Sequence, residues 1–82
     1  MKTKDKILIY IHEQTQKKPY PPSLREIGEG VNLKSTSTIH SHLHRLKDKG
    51  LLDFEPSCPR TISLTDEGLA WVHELQKYQD DD

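Results

Sequence analysis

Residues Pro21 to Leu52 read PPSLREIGEGVNLKSTSTIHSHLHRLKDKGLL, and this stretch decides the fold. Ser23-Leu24-Arg25-Glu26 has the form of a capping box. In such a box the Ser oxygen accepts the Glu N–H, and the Glu carboxylate returns to the Ser N–H. Leu24, Ile27 and Val31 then recur at spacings of three and four, so a short helix turns one face to a core. Gly28 permits close approach of a neighbour, and Gly30 lies where this helix ends. Val31-Asn32-Leu33 makes a turn, because Asn tolerates left-handed backbone and Leu33 plugs the angle between two helices. A longer helix begins after Ser35 and runs over 36–49, with Gly50 as its stop.

That longer helix has two unlike faces. At about 100° per residue, Ile39, Leu43 and Leu46 fall within roughly 60° of one another. The opposite face carries Ser37, Thr38, Ser41, His44, Arg45 and Asp48, with His40 on one flank and His42 on the other. A helix that packs on a core and also reads base edges needs this division. Short hydroxyls let a helix sit deep in a major groove and can both donate and accept. Arg45 suits a guanine or a phosphate. Arg25, Lys34, Lys49 and Arg60 suit phosphates.

Working outward, a first helix is expected from Lys4 to about Lys17, with Thr3 as its cap and Asp5 at its positive end. Ile7, Leu8 and Ile11 form its buried stripe, and Tyr10 lies at the edge. Pro19, Pro21 and Pro22 then force extended chain. Beyond Gly50, Leu51–Phe54 and Thr61–Leu64 alternate apolar with polar and predict two strands. The proline-rich loop between them makes a hairpin wing, on which Ser57 and Arg60 sit beside a lone Cys58. Thr65 caps a fourth helix from about Asp66 to Tyr78. Its side with Leu69, Trp71, Val72, Leu75 and Tyr78 is wider than a small wing needs, so part is expected against the first helix and part against a second subunit. The expected organisation is a winged helix-turn-helix over 1–64, a C-terminal helix over 65–79 as a possible dimerisation element, and an acidic tail at 80–82. The fold class is mainly α with a small β-hairpin.

The formal net charge of −1 suits a nucleic-acid binder poorly until it is divided along the chain. Residues 1–60 hold eleven Lys/Arg against seven Asp/Glu, so 11 − 7 = +4, whereas residues 61–82 hold one against six, so 1 − 6 = −5. Local positive charge is what meets phosphate. Eighty-two residues make one small domain, too short for a large core and suited to pairing. No apolar run approaches a membrane span, no signal-peptide core is followed by a cleavage site, and one cysteine cannot form an internal disulfide. A cytoplasmic protein is expected.

His40 and His44, four apart, require a check for metal. No Glu follows His40 in the zincin arrangement and no Cys pair supplies further ligands, so no metal and no cofactor are expected. Protonation of these histidines would add positive charge toward phosphate. There is no paired acid and base in a cleft, no activated nucleophile and no phosphate-cradling glycine loop. An enzyme is not expected.

Three words in order, Tyr20-Pro21-Pro22-Ser23-Leu24-Arg25-Glu26-Ile27-Gly28, Ser35-Thr36-Ser37-Thr38-Ile39-His40, and Leu43 through Leu51, resemble the DNA-binding domain of LexA-type SOS repressors. The similarity covers about three quarters of the chain and is strongest to the Gram-positive branch. It implies base contacts along the first turns of the recognition helix, here Ser35, Ser37, Thr38, His40 and Ser41. The helical wheel independently selects Ser37, Thr38 and Ser41, and adds His44 and Arg45. The resemblance also implies backbone or minor-groove contact by the wing. LexA-type repressors continue into a self-cleaving domain for which this chain has no room, so self-cleavage is not expected. Leu64-Thr65-Asp66-Glu67-Gly68-Leu69 instead resembles the strand-to-helix junction of MarR- and PadR-like regulators, which dimerise through added helices. The expectation is a sequence-specific duplex-DNA binder, a small repressor acting by operator occupancy as a homodimer on an inverted repeat. The alternative is a protein-interaction module, such as an antirepressor or a phage-type modifier of a host regulator, suggested by the acidic tail and modest total charge.

Overall fold

A computed structural model describes residues 2–55 and 61–79, apart from the side chains of Tyr78 and Gln79. The elements run α1 (Thr3–Lys17), α2 (Leu24–Gly30), α3 (Thr36–Asp48), β1 (Leu52–Asp53), β2 (Ser63–Leu64) and α4 (Asp66–Gln79). This is a winged helix-turn-helix with an added C-terminal helix, as the sequence implied. Ser57, Cys58, Arg60 and the Asp80–Asp82 tail lie outside the described residues.

The local signals act where they were read. Ser23 Oγ accepts the Glu26 N–H at 3.2 Å, and Glu26 Oε1 accepts the Ser23 N–H at 3.1 Å. Asn32 takes φ 61°, and the Leu33 N–H reaches back to the Gly28 carbonyl at 2.8 Å, closing α2. The same closure ends α3: Gly50 has φ 78°, and the Leu51 N–H donates to the Leu46 carbonyl at 3.0 Å. Thr65 Oγ1 accepts the Gly68 N–H at 3.0 Å and starts α4. A Cβ on Gly28 would stand 2.5 Å from Ile39 Cδ1, so this glycine does set the α2–α3 approach. Gly30 is bare for a reason beyond its place at the helix end, since a Cβ there would fall 2.0 Å from the Tyr10 ring.

Three expectations are corrected. Thr3 does not cap α1; it is the first helical residue, and the amides of Asp5 and Lys6 donate to the Lys2 carbonyl without a side-chain cap. The strands are two residues each, with Leu52 opposite Leu64 and Asp53 opposite Ser63. Side chains take over the polar groups that a longer ladder would use. Asp53 Oδ1 accepts the Phe54 N–H at 2.9 Å, Thr61 Oγ1 accepts the Glu55 N–H at 2.9 Å, and Lys47 Nζ donates to the Phe54 carbonyl at 2.9 Å. Finally, Val72 is fully buried within the chain and offers no surface to a second subunit.

One apolar cluster joins all the helices. Ile7, Leu8 and Ile11 of α1 meet Ile27, Ile39, Leu43, Leu46, Leu52, Phe54, Ile62 and Val72. Asp5 is the only buried polar or charged residue among those described, and Trp71 Nε1 donates to its Oδ1 at 2.9 Å. The α1 stripe therefore serves two partners: the helix-turn-helix on one side and α4 on the other.

Candidate nucleic-acid interface

Burial of Ile39, Leu43 and Leu46 decides which face of α3 is free. Ser37, Thr38, Ser41, His44, Arg45 and Asp48 are exposed together, and Ser35 and Thr36 are exposed at the N-terminal end. Ser35 Oγ accepts the Thr38 N–H at 3.4 Å and fixes the first turn, while its hydroxyl proton stays available to a ligand. The first turns therefore present hydroxyls alone, which is the chemistry for close approach to base edges. Asp48, one turn beyond His44, would repel a phosphate, so the favourable part of this face is its N-terminal half and middle.

The two flanks of α3 differ. On one, His40 is half-buried and its ring lies 4.4 Å from that of His44. Both rings meet the edge or face of Phe54, at 6.3 and 5.3 Å between centroids. Lys47 on the same side is committed to the hairpin root: besides its bond to the Phe54 carbonyl it stands 3.7 Å from Asp53 and over the Phe54 ring. Phe54 thus orients the histidines and couples the wing to α3. Sequence spacing does not disclose this contact, because Phe54 reads only as an inward strand residue. On the other flank, His42, Arg45 and Lys49 face the start of α1, where Lys2 and Lys4 complete a cleft. Neither Lys was singled out from the sequence, as nothing local ties residue 2 to residue 49.

Arg25 and Lys34 are exposed and line one groove between α2 and the turn before α3. Lys49 is exposed at the far end of α3. The sequence-selected residues within the described chain therefore lie along α3 and at its borders. Ser57 and Arg60 fall outside the described residues. Among the described residues, no group of three or more His, Cys, Asp or Glu is placed to hold a metal ion. No described helix is long and apolar enough to cross a membrane.

On α4, Trp71 is 40% exposed although its indole N–H is engaged. Lys4 Nζ stands 5.4 Å from the ring centre. Ala70, Trp71 and Leu75 line an open groove with Leu51, bordered by Lys49, Glu67 and Glu74. Leu69 is partly buried. The side chain of Tyr78 is outside the described set.

Residues 2–61 match the LexA DNA binding domain family. The chain is similar to the LexA repressor of Enterococcus faecalis, 57% identical over 63 residues, which is 77% of this chain and 30% of the relative. It is 52% identical over 63 residues to the LexA repressor of Oenococcus oeni, with the same coverage. Against the LexA repressor of Geobacillus kaustophilus the identity is 43% over 76 residues, or 93% of this chain and 37% of the relative. The chain therefore spans about a third of the length of these relatives.

Proposed function

The chain belongs to the LexA DNA-binding domain family, and on that premise we propose that it binds double-stranded DNA sequence-specifically and represses transcription by occupying an operator. The observation that carries this reading is α3 itself. One face is sealed into the core, both ends are pinned by caps, and the free face begins with hydroxyls set close to the backbone. Such a helix enters a major groove as a rigid unit and loses little conformational entropy on doing so.

In this reading Ser35, Ser37, Thr38, His40 and Ser41 meet base edges, and His44 and Arg45 act one to two turns further along. Arg25, Lys34 and Lys49 meet phosphates on either side. Ser57 and Arg60 extend the contact onto the backbone or minor groove. Two copies pair through the exposed part of α4, centred on Trp71 and Leu75, with Leu69 and, by its place in the sequence, Tyr78 as further contacts. Paired copies would place two recognition helices roughly 34 Å apart on one face of the duplex, which favours an inverted repeat. The reading is non-catalytic. Its operator is expected to be similar to those of LexA-type repressors, altered where the groove-facing residues differ.

Selection from a randomised duplex library, followed by sequencing of the retained fraction, tests this. An enriched inverted repeat is the expected result. Enrichment of a single half-site would retain the DNA reading and remove the dimer. Absence of enrichment together with salt-insensitive or absent binding would transfer the assignment to a protein-interaction module. Light scattering at tens of micromolar, with and without the selected duplex, reports the pairing directly.

A further inference from the structure

The cleft between the start of α1 and the second half of α3 gathers cationic side chains from two elements distant in sequence. Lys2, which precedes α1, and Lys4 enter it from one side, and His42, Arg45 and Lys49, at the end of α3, from the other. Its remaining lining is Thr3 and Leu46, so no carboxylate borders it. None of the four Lys and Arg side chains takes part in an ion pair among the described residues, where the pairs are Lys18–Glu26 and Lys47–Asp53. Of the two acids adjacent to these cations in sequence, Asp5 is buried and accepts from the Trp71 indole, and Asp48 is exposed beside Lys49 without lining the cleft. Like charges gathered along one cleft repel one another, and no side chain in its lining compensates them. An anion is what the cleft fits. The positive end of the 15-residue α1 adds to the same field.

Position identifies the anion. Arg45 and Lys49 lie on the flank of α3 opposite the one joined to the hairpin, immediately beside Ser41 and Thr38. A duplex whose major groove, about 12 Å wide, receives α3 carries one phosphate backbone on each side of that helix. The hairpin root at Phe54 stands on one side and the cleft on the other. We propose that this cleft clamps a backbone phosphodiester of the bound duplex, with Lys2 and Lys4 as contacts supplied from outside the helix-turn-helix and Arg45 directed to phosphate rather than to guanine. The proposal rests on the DNA-binding reading above.

The test is the salt dependence of binding by the full chain to the library-selected duplex and to an unrelated duplex of equal length. Each lost phosphate contact lowers the slope of log affinity against log salt by about 0.9. The double variant Lys2→Gln/Lys4→Gln is expected to lose up to about 1.8 of that slope. Its affinity should fall by one common factor on both duplexes, and its base preference in the library should be unchanged. Lys77→Gln, on exposed α4, removes an equal unit of charge elsewhere and is expected to leave the slope alone. Because Lys4 also covers Trp71, Lys2→Gln is measured singly, with an expected loss of about 0.9. Slopes equal to the parent's in both Lys2 variants overturn the proposal, as does an altered base preference, which would make these base contacts. If the parent binds no duplex at all, the DNA reading falls and the clamp with it, an outcome distinct from a parent that binds with variants that match it.

Discussion

Between Ser23 and Leu51 the chain is steered by near neighbours, whereas α1 and α4 are joined by residues far apart. In the first region Ser23 and Glu26 bond reciprocally, Leu33 reaches back five residues to Gly28, and Leu51 reaches back five to Leu46. In the second, the Trp71 indole finds Asp5 across 66 residues, and Gly68 lies so close to Leu51 that a Cβ would stand 1.8 Å from its carbonyl oxygen. The proposed reading surface is therefore set by short-range geometry. Its support from α1, and the exposed aromatic on α4, depend on the whole molecule being folded.

The α4 seam can be opened by a single methyl group. Gly68→Ala drives a methyl group into the Leu51 carbonyl, with an expected cost of about 3 kcal/mol, toward the upper end for overpacking. Thermal denaturation should show a fall of roughly 12–24 °C for a domain of this size. A shift of only a degree or two would mean that α4 can move away without cost, and the seam would not be integral to the fold.

Trp71→Phe sharpens the same point by leaving the Asp5 carboxylate without its donor. A loss of about 2 kcal/mol is expected, as for a hydrogen bond to a charged group. Affinity for a duplex carrying a single half-site, measured well below the unfolding temperature, should be unchanged, because neither the α2–α3 geometry nor half-site binding by one copy passes through this bond. Urea denaturation and a binding isotherm on one preparation check both halves. Weakened binding by fully folded protein would show that the seam reaches the reading surface.

Within the local region the two N-caps are not equal. Ser23 has both bonds of its box, and Ser35 has one at 3.4 Å. Ser23→Ala should cost about 1 kcal/mol and Ser35→Ala nearer 0.5. Equal losses in chemical denaturation would remove the distinction.

The smallest effect belongs to Tyr10, where α1 crosses Gly30. Its hydroxyl titrates above the usual 10.0, chiefly because burial disfavours the phenolate and secondarily because Glu26 lies near. A raised acid is favoured by the fold in its neutral form. That contribution is present below pH 10.0 and is lost as pH climbs through the raised value. Tyr10→Phe should therefore narrow the fall in urea midpoint between about pH 9 and pH 11 relative to the parent. An unchanged alkaline fall would place the titrating group elsewhere.

Much of the candidate site was legible because it depends on period and punctuation. The apolar spacing of Ile39, Leu43 and Leu46 marks the buried side of α3, so the exposed side follows by subtraction. The short ladder was not legible, since Leu51–Phe54 alternates as a longer strand would. Only in three dimensions do Asp53, Thr61 and Lys47 intercept the hydrogen bonds that would lengthen it. Val72 reads as part of one broad apolar face on α4, and burial separates it from Trp71 one residue away.

The helix-turn-helix, its caps, the left-handed Asn32 and Gly50, and the family follow from local spacing. These are carried by residues within a few positions of each other, where spacing is geometry. Folding of the whole chain is what brings Phe54 beneath His40 and His44, Asp5 to the Trp71 indole, and Lys2 and Lys4 to one cleft with Arg45 and Lys49. Those pairings join distant parts of the chain, and their partners are chosen by packing of the shared core, which no local spacing encodes.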